Sequence, residues 1–128
     1  MTTADLCVLA AALLPYLALA PAKLSGRRAY NNADPRNPDF YAGGFRARAW
    51  GAHLNSFEAF PFFAAAVILA EMRDAPQTAV DTLALCFIGA RVVYVVAYLS
   101  DRPVLRSVVW GIGLVVNIAL FVLPALSV

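Results

Sequence analysis

The sequence predicts an all-α integral membrane protein, a four-helix bundle of up-down topology. Composition is the first reason: 62% of the residues are hydrophobic and only 14% charged, against roughly a quarter charged in ordinary globular chains, and mean hydropathy is +0.71. The second is that the apolar residues gather into four blocks, at about 6–24, 49–70, 79–99 and 108–128. Each is close to the ~20 residues that cross a hydrocarbon core about 30 Å thick. The third is that most of the charges fall between the blocks. A backbone in lipid must satisfy its own hydrogen bonds, and these blocks are too long and too continuously apolar for barrel strands, so the spans are expected to be helices. Four spans use most of the 128 residues, and 1–128 is expected to form a single membrane domain.

Span one, Leu6 to Leu24, follows Met-Thr-Thr-Ala-Asp. A secretory leader would carry basic residues there, whereas Asp5 has the opposite sign, so a retained span is expected. The connection at 25–48 is the only long one. Its Asn, Asp, Pro and Gly residues are turn formers, and a loop of that length in so small a chain is usually functional or disordered. Span two follows, then a short connection, span three, another short connection and span four, as expected for antiparallel neighbours in a bundle. Pro15 and Pro61 lie inside spans one and two, where neighbouring helices make proline tolerable.

The charges orient the bundle. Lys23, Arg27, Arg28, Arg36, Arg46 and Arg48 stand between spans one and two against Asp34 and Asp39, and Arg102 and Arg106 join Asp101 between spans three and four. The positive-inside rule puts the first and third connections in the cytoplasm and both termini on the opposite side. A bacterial inner membrane fits these short connections.

Polar residues inside the spans need a physical reason. Arg48, Gly51, Asn55 and Glu58 are spaced 3, 4 and 3 apart and share one face of span two. A glutamate in a hydrophobic span is expected to face the bundle interior or a wet cavity and to have a partner. Arg91 is the one cation in the interior of a span, away from its ends, and Tyr94 and Tyr98 follow it on the same face of span three. A structural ion pair between Glu58 and Arg91 is therefore expected, either fixing helix register alone or also serving a site lined by Asn55, Tyr94 and Tyr98. Arg27, Arg28, Arg48, Arg102 and Arg106 are either anchors to anionic headgroups or cations at the mouth of that cleft. In the second role they suit an anionic small molecule with several carboxylates.

Other chemistry has little support. One histidine and two separated cysteines make no zinc site of ordinary ligand count, so no metal is expected. Cys7 and Cys86 read as packing residues, as does His53. There is no phosphate-binding glycine loop, and nucleic acid is not expected as a partner, because little soluble surface remains. Gly111 and Gly113 suggest close helix packing. Asn117 is expected to donate an interhelical hydrogen bond rather than to contact a ligand.

"RRAY" at Arg27 to Tyr30, "AHLNSFEAFPFF" at Ala52 to Phe63, "RVVYVVAY" at Arg91 to Tyr98 and "LRS" at Leu105 to Ser107 occur in this order. With four spans in so short a chain, the ordered set resembles the MAPEG proteins, membrane-associated proteins of eicosanoid and glutathione metabolism. The resemblance covers nearly the whole chain. It implies a left-handed bundle assembled as a homotrimer, with glutathione as cosubstrate in a cleft between subunits near the cytoplasmic face. It further implies that Asn55, Glu58, Tyr94, Tyr98, Arg27 and Arg48 hold glutathione and that Arg91 pairs with Glu58. Arg106, or alternatively Arg28, would stabilise the thiolate. The implied activity is that of a transferase or peroxidase acting on a lipophilic electrophile that arrives through the membrane lipid. The family also includes noncatalytic lipid-binding members, so a ligand-binding protein is the alternative. Two departures stand out. Gly51 occupies a position where active members commonly carry arginine, and Ala59 one where the leukotriene-forming branch often has an aromatic residue.

Overall fold

A computed structural model describes residues 1–126; the last two residues of the fourth apolar block lie outside the described residues. Four helices follow one another: α1 (Thr3–Ser25), α2 (Gly44–Met72), α3 (Gln77–Leu99) and α4 (Pro103–Leu126). All four are long and apolar enough to cross a membrane. Several ends lie beyond the expected spans because polar residues cap or extend them. At the start of α1 a capping box is complete: Asp5 N–H donates to Thr2 Oγ1 (3.0 Å) and Thr2 N–H to Asp5 Oδ2 (2.7 Å), each satisfying a backbone donor left open there. Helix α2 begins five residues earlier than its apolar block and takes in Arg46 and Arg48. Gly44, at φ +57°, makes the turn into it, a conformation that costs glycine nothing. Arg106, expected in the third connection, instead lies in the first turns of α4.

Both short connections reverse the chain in the same way. Asp74 (φ 55°) and Asp101 (φ 57°) follow α2 and α3 in the left-handed conformation. The next amides, of Ala75 and Arg102, then donate back to the carbonyls of Ala70 and Ala97 at 3.0 and 2.9 Å. This is the Schellman arrangement, with aspartate where glycine is usual. Pro103 then opens α4, where its missing N–H has no helical partner to lose.

Packing follows a spacing of three and four residues. In α1 the buried residues are Ala4, Cys7, Ala11, Pro15, Ala18 and Ala22 together with Leu19. In α2 the inward row is Ala49, Ala52, Ser56, Phe63, Ala66 and Ala70, and in α3 Val80, Ala84, Phe87, Arg91 and Tyr94. The many alanines let helix backbones approach closely where lipid supplies no hydrophobic drive. Helices α2 and α3 touch each other and both of their neighbours, whereas α1 and α4 do not meet. Phe63 of α2 stacks on Phe87 of α3 at the centre, ring centroids 4.0 Å apart. Leu6, Leu9, Leu13 and Leu17 of α1, and Val104, Val108, Ile112, Val115 and Ile118 of α4, stay exposed. Apolar stripes of that extent belong against lipid or another subunit.

The long connection is built on aromatic rings. Tyr41 stacks on Trp50 (4.6 Å between centroids), Trp50 on His53 (5.2 Å), and Phe40 meets Tyr41 edge-on (4.8 Å). Tyr41 donates to the Pro35 carbonyl (3.2 Å), and burial raises the pKa of its phenol, partly offset by Lys23. His53 Nδ1 donates to the Pro15 carbonyl (2.7 Å), locking α2 to α1 in the packing role expected of it. The two cysteines differ: Cys7 is buried in the core as expected, but Cys86 is exposed.

Candidate functional site

The face bearing Gly51, Asn55 and Glu58 is not the packing row of α2 but its neighbour. Arg48, Gly51, Asn55, Glu58 and Phe62 each precede by one residue a position of the series 49, 52, 56, 59 and 63. Their face is therefore turned about 100° from the seam. That rotation leaves it on the flank of the helix, where a cavity of ≈ 200 Å³ opens between α2, α3 and α4. Asn55, Glu58, Ala59 and Phe62 supply the α2 wall, Phe87 and Arg91 the α3 wall, and Trp110, Gly113, Leu114 and Asn117 the α4 wall.

The same rotation changes a pairing expected from sequence. Arg91, 3% exposed, projects from the α3 seam and meets the α2 seam, so its Nη2 donates to Ser56 Oγ at 3.2 Å. Its guanidinium also lies 4.1 Å from the centre of the Tyr94 ring. No direct ion pair joins Glu58 to Arg91 among the described residues. Both line the cavity, and Glu58 acts on the guanidinium through space. The Glu58 carboxylate is held instead by its own helix, accepting from Asn55 Nδ2 at 3.3 Å. Ser56 was passed over in the sequence; its spacing of four from Ala52 on the buried row was the signal that could have found it.

A second group runs from this cavity towards the end of the bundle that carries the arginines. Tyr94 meets Tyr98 edge-on at 5.7 Å, and the Arg106 guanidinium lies 4.4 Å over the Tyr98 ring. The result is a series of two rings flanked by two cations, Arg91, Tyr94, Tyr98 and Arg106, in which each cation faces a negative ring surface. Tyr98 reaches across to α2 at Gly51, where a β-carbon would overlap its phenol. The missing side chain at 51 thus makes room for Tyr98, one turn before Asn55.

The remaining arginines are placed differently. Arg48 Nε donates to the Leu99 carbonyl (3.3 Å), tying α2 to the end of α3. Arg46 donates to the Phe40 carbonyl (3.4 Å) and covers the Phe40 ring at 4.6 Å. Arg27 and Arg28 are exposed on the turn after α1, and no contact joins them to Asn55, Glu58 or Arg106 among the described residues. Asn117 lines the cavity from α4. It is 3% exposed, yet its Oδ1, an acceptor, has no hydrogen-bond partner, so burial leaves open a group that the expected donor role does not use. Asn55 Oδ1 is likewise buried and unpaired. Gly113 is not forced by close packing either, since a β-carbon there would meet Phe87 at an ordinary 3.8 Å.

Comparison with known proteins agrees with this arrangement at the level of the family. Searches of curated proteins and of solved structures return no match. The model of the MAPEG family matches residues 3–126. That match spans all four helices and every residue of the cavity and of the cation and ring series, and the chain belongs to the MAPEG family.

Proposed function

We propose that this protein is a glutathione-dependent membrane transferase or peroxidase, which adds the glutathione thiolate to a lipophilic electrophile or reduces a lipophilic hydroperoxide. The observation that carries the reading is the position of Arg106. Its guanidinium rests on Tyr98, and Tyr98 touches the helix face that bears Asn55 and Glu58. A cation is thereby held beside acceptors suited to a peptide. Glutathione offers amide N–H groups, an ammonium and two carboxylates. Unpaired Asn55 Oδ1 and the Glu58 carboxylate suit the first two, and arginines suit the carboxylates. In this reading Asn55, Glu58, Tyr94, Tyr98, Arg27 and Arg48 hold the tripeptide, and Arg91 orients the site from the α3 seam. The site is completed by Arg27 and Arg28 of another copy in a homotrimer. The bundle sits in a bacterial inner membrane with both termini non-cytoplasmic and the first and third connections cytoplasmic.

The chemistry follows from charge. A thiol attacks as thiolate, and a guanidinium beside the sulfur lowers its pKa, so that more thiolate exists at neutral pH. Arg106 serves this role, with Arg28 as the alternative. The sulfur electron pair then forms the new bond to the electrophilic carbon, and the leaving group departs with the pair of the bond that breaks. Conjugation of glutathione to a chromogenic chloronitroarene tests the reading, with turnover expected in wild type and lowered about 100-fold in Arg106→Ala. Absence of turnover in wild type together with absence of calorimetric glutathione binding would sink it.

A noncatalytic ligand-binding role is the second reading, and two observations favour it. Arg48 is engaged by the Leu99 carbonyl, and Tyr98 fills the space beside Gly51, so two contacts to an anionic peptide are weakened. Under this reading a lipid or other small ligand binds in the cleft between subunits, and no conjugation occurs.

A further inference from the structure

The cavity between α2, α3 and α4 holds a feature that glutathione does not use. Asn117 lies on α4 eleven residues, about three turns, from Arg106, deep within the span. It lines the cavity, and its amide oxygen has no hydrogen-bond partner among the described residues. A buried amide oxygen without a partner is costly, and such groups in native structures call for an explanation. Phe87, Leu114, Trp110 and the bare backbone of Gly113 form the apolar part of the wall, and Asn55, Glu58 and Arg91 line the same cavity. Trp110 and Leu114 are exposed at the outer surface of α4, so the cavity opens at the surface of the bundle. Its ≈ 200 Å³ exceeds the roughly 150 Å³ of an apolar cavity that takes up benzene.

We propose that this cavity binds the hydroxyl-bearing end of an apolar molecule, a phenol or lipid alcohol, with Asn117 as the residue that selects for the hydroxyl. A hydroxyl donates, which suits an amide whose oxygen is buried and open. One ring or a short chain fills the remaining volume against Phe87 and Trp110. That the bound molecule is also the second substrate rests on the transferase reading; the binding site itself does not.

The test uses the full chain in lipid nanodiscs without glutathione, with the chain's other tryptophan removed as Trp50→Phe so that Trp110 reports binding. Two probes of matched size, 4-propylphenol and propylbenzene, are titrated, and their lipid partitioning is corrected with empty discs. Wild-type residues at 113 and 117 should bind the phenol about tenfold more tightly than the hydrocarbon, the preference expected for one buried hydrogen bond. Asn117→Leu should abolish the preference while keeping hydrocarbon binding, and Gly113→Leu, which fills the cavity, should abolish saturable binding of both. Equal affinity for the two probes overturns the proposal without recourse to any variant, as does a preference that survives Asn117→Leu or binding that survives Gly113→Leu. Calorimetry with glutathione on the same discs separates the two claims. Phenol selectivity without glutathione binding upholds this site and defeats the transferase reading, and glutathione binding without selectivity does the reverse.

Discussion

Polar residues at two places in the bundle are handled in opposite ways. Where α1 begins, Glu71 Oε1 accepts from Thr2 Oγ1 (2.8 Å) and Gln77 Nε2 (3.2 Å), and Asp81 Oδ1 accepts from Ala4 N–H (2.9 Å) and the same Gln77 amide (3.0 Å). Asp5 closes the capping box. Each of these three carboxylates has a protein donor, and the group joins α1, α2 and α3. In the cavity, by contrast, the side-chain oxygens of Asn55 and Asn117 are buried and open, and Glu58 is held by Asn55 alone among the described residues. A satisfied network makes structure, whereas a half-satisfied one weakens it and gains a use only when a ligand completes it. Under the proposed function the first region serves stability and the second serves binding.

Mutations should separate the regions, with the largest effect at the cation above the cavity. Arg106→Ala should lower the glutathione conjugation rate about 100-fold, the scale of losing one charge-stabilising group, with little change in the thermal unfolding midpoint. A fall in both together would break the distinction. At the opposite end, Asp81→Ala removes a carboxylate that accepts two hydrogen bonds, including one from the first turn of α1. It should destabilise the fold by about 2 kcal/mol, read by denaturant unfolding in detergent, and leave glutathione affinity unchanged. Gly51→Ala should cost about 1–2 kcal/mol by overpacking against Tyr98. Most of that cost should vanish in a Tyr98→Ala background, a coupling that a double-mutant cycle measures. The smallest and most diagnostic effect is at Asn117. Replacing an unpaired buried amide by leucine should stabilise the protein without ligand by about 1 kcal/mol; loss of stability would mean that the amide is already satisfied.

The four spans were legible because a 20-residue apolar run in lipid has one ordinary outcome, a helix. Helix ends were less so. Gly44 to Arg48 and Pro103 to Ser107 are helical although partly charged, and caps and Schellman turns rather than hydropathy decide where those helices stop. For the site, the spacing from Arg48 to Glu58 correctly grouped one face and the spacing from Arg91 to Tyr98 another. Their relative rotation was invisible. It depends on which alanines pack, and a shift of one residue, about 100°, exchanged Glu58 for Ser56 as the partner of Arg91. Asn117 went the other way. A polar residue in mid-span suggests an interhelical bond, but only the fold shows that Asn117 lines a cavity with Phe87 of α3 and that its oxygen meets no donor there.

The central claim is that glutathione binds as thiolate beside Arg106. The ultraviolet absorbance of the thiolate, recorded as glutathione is added to the protein in nanodiscs at neutral pH, tests it directly. The account predicts a saturable thiolate signal in wild type that disappears in Arg106→Ala. No signal in wild type at saturating glutathione, or an equal signal in the variant, would contradict it.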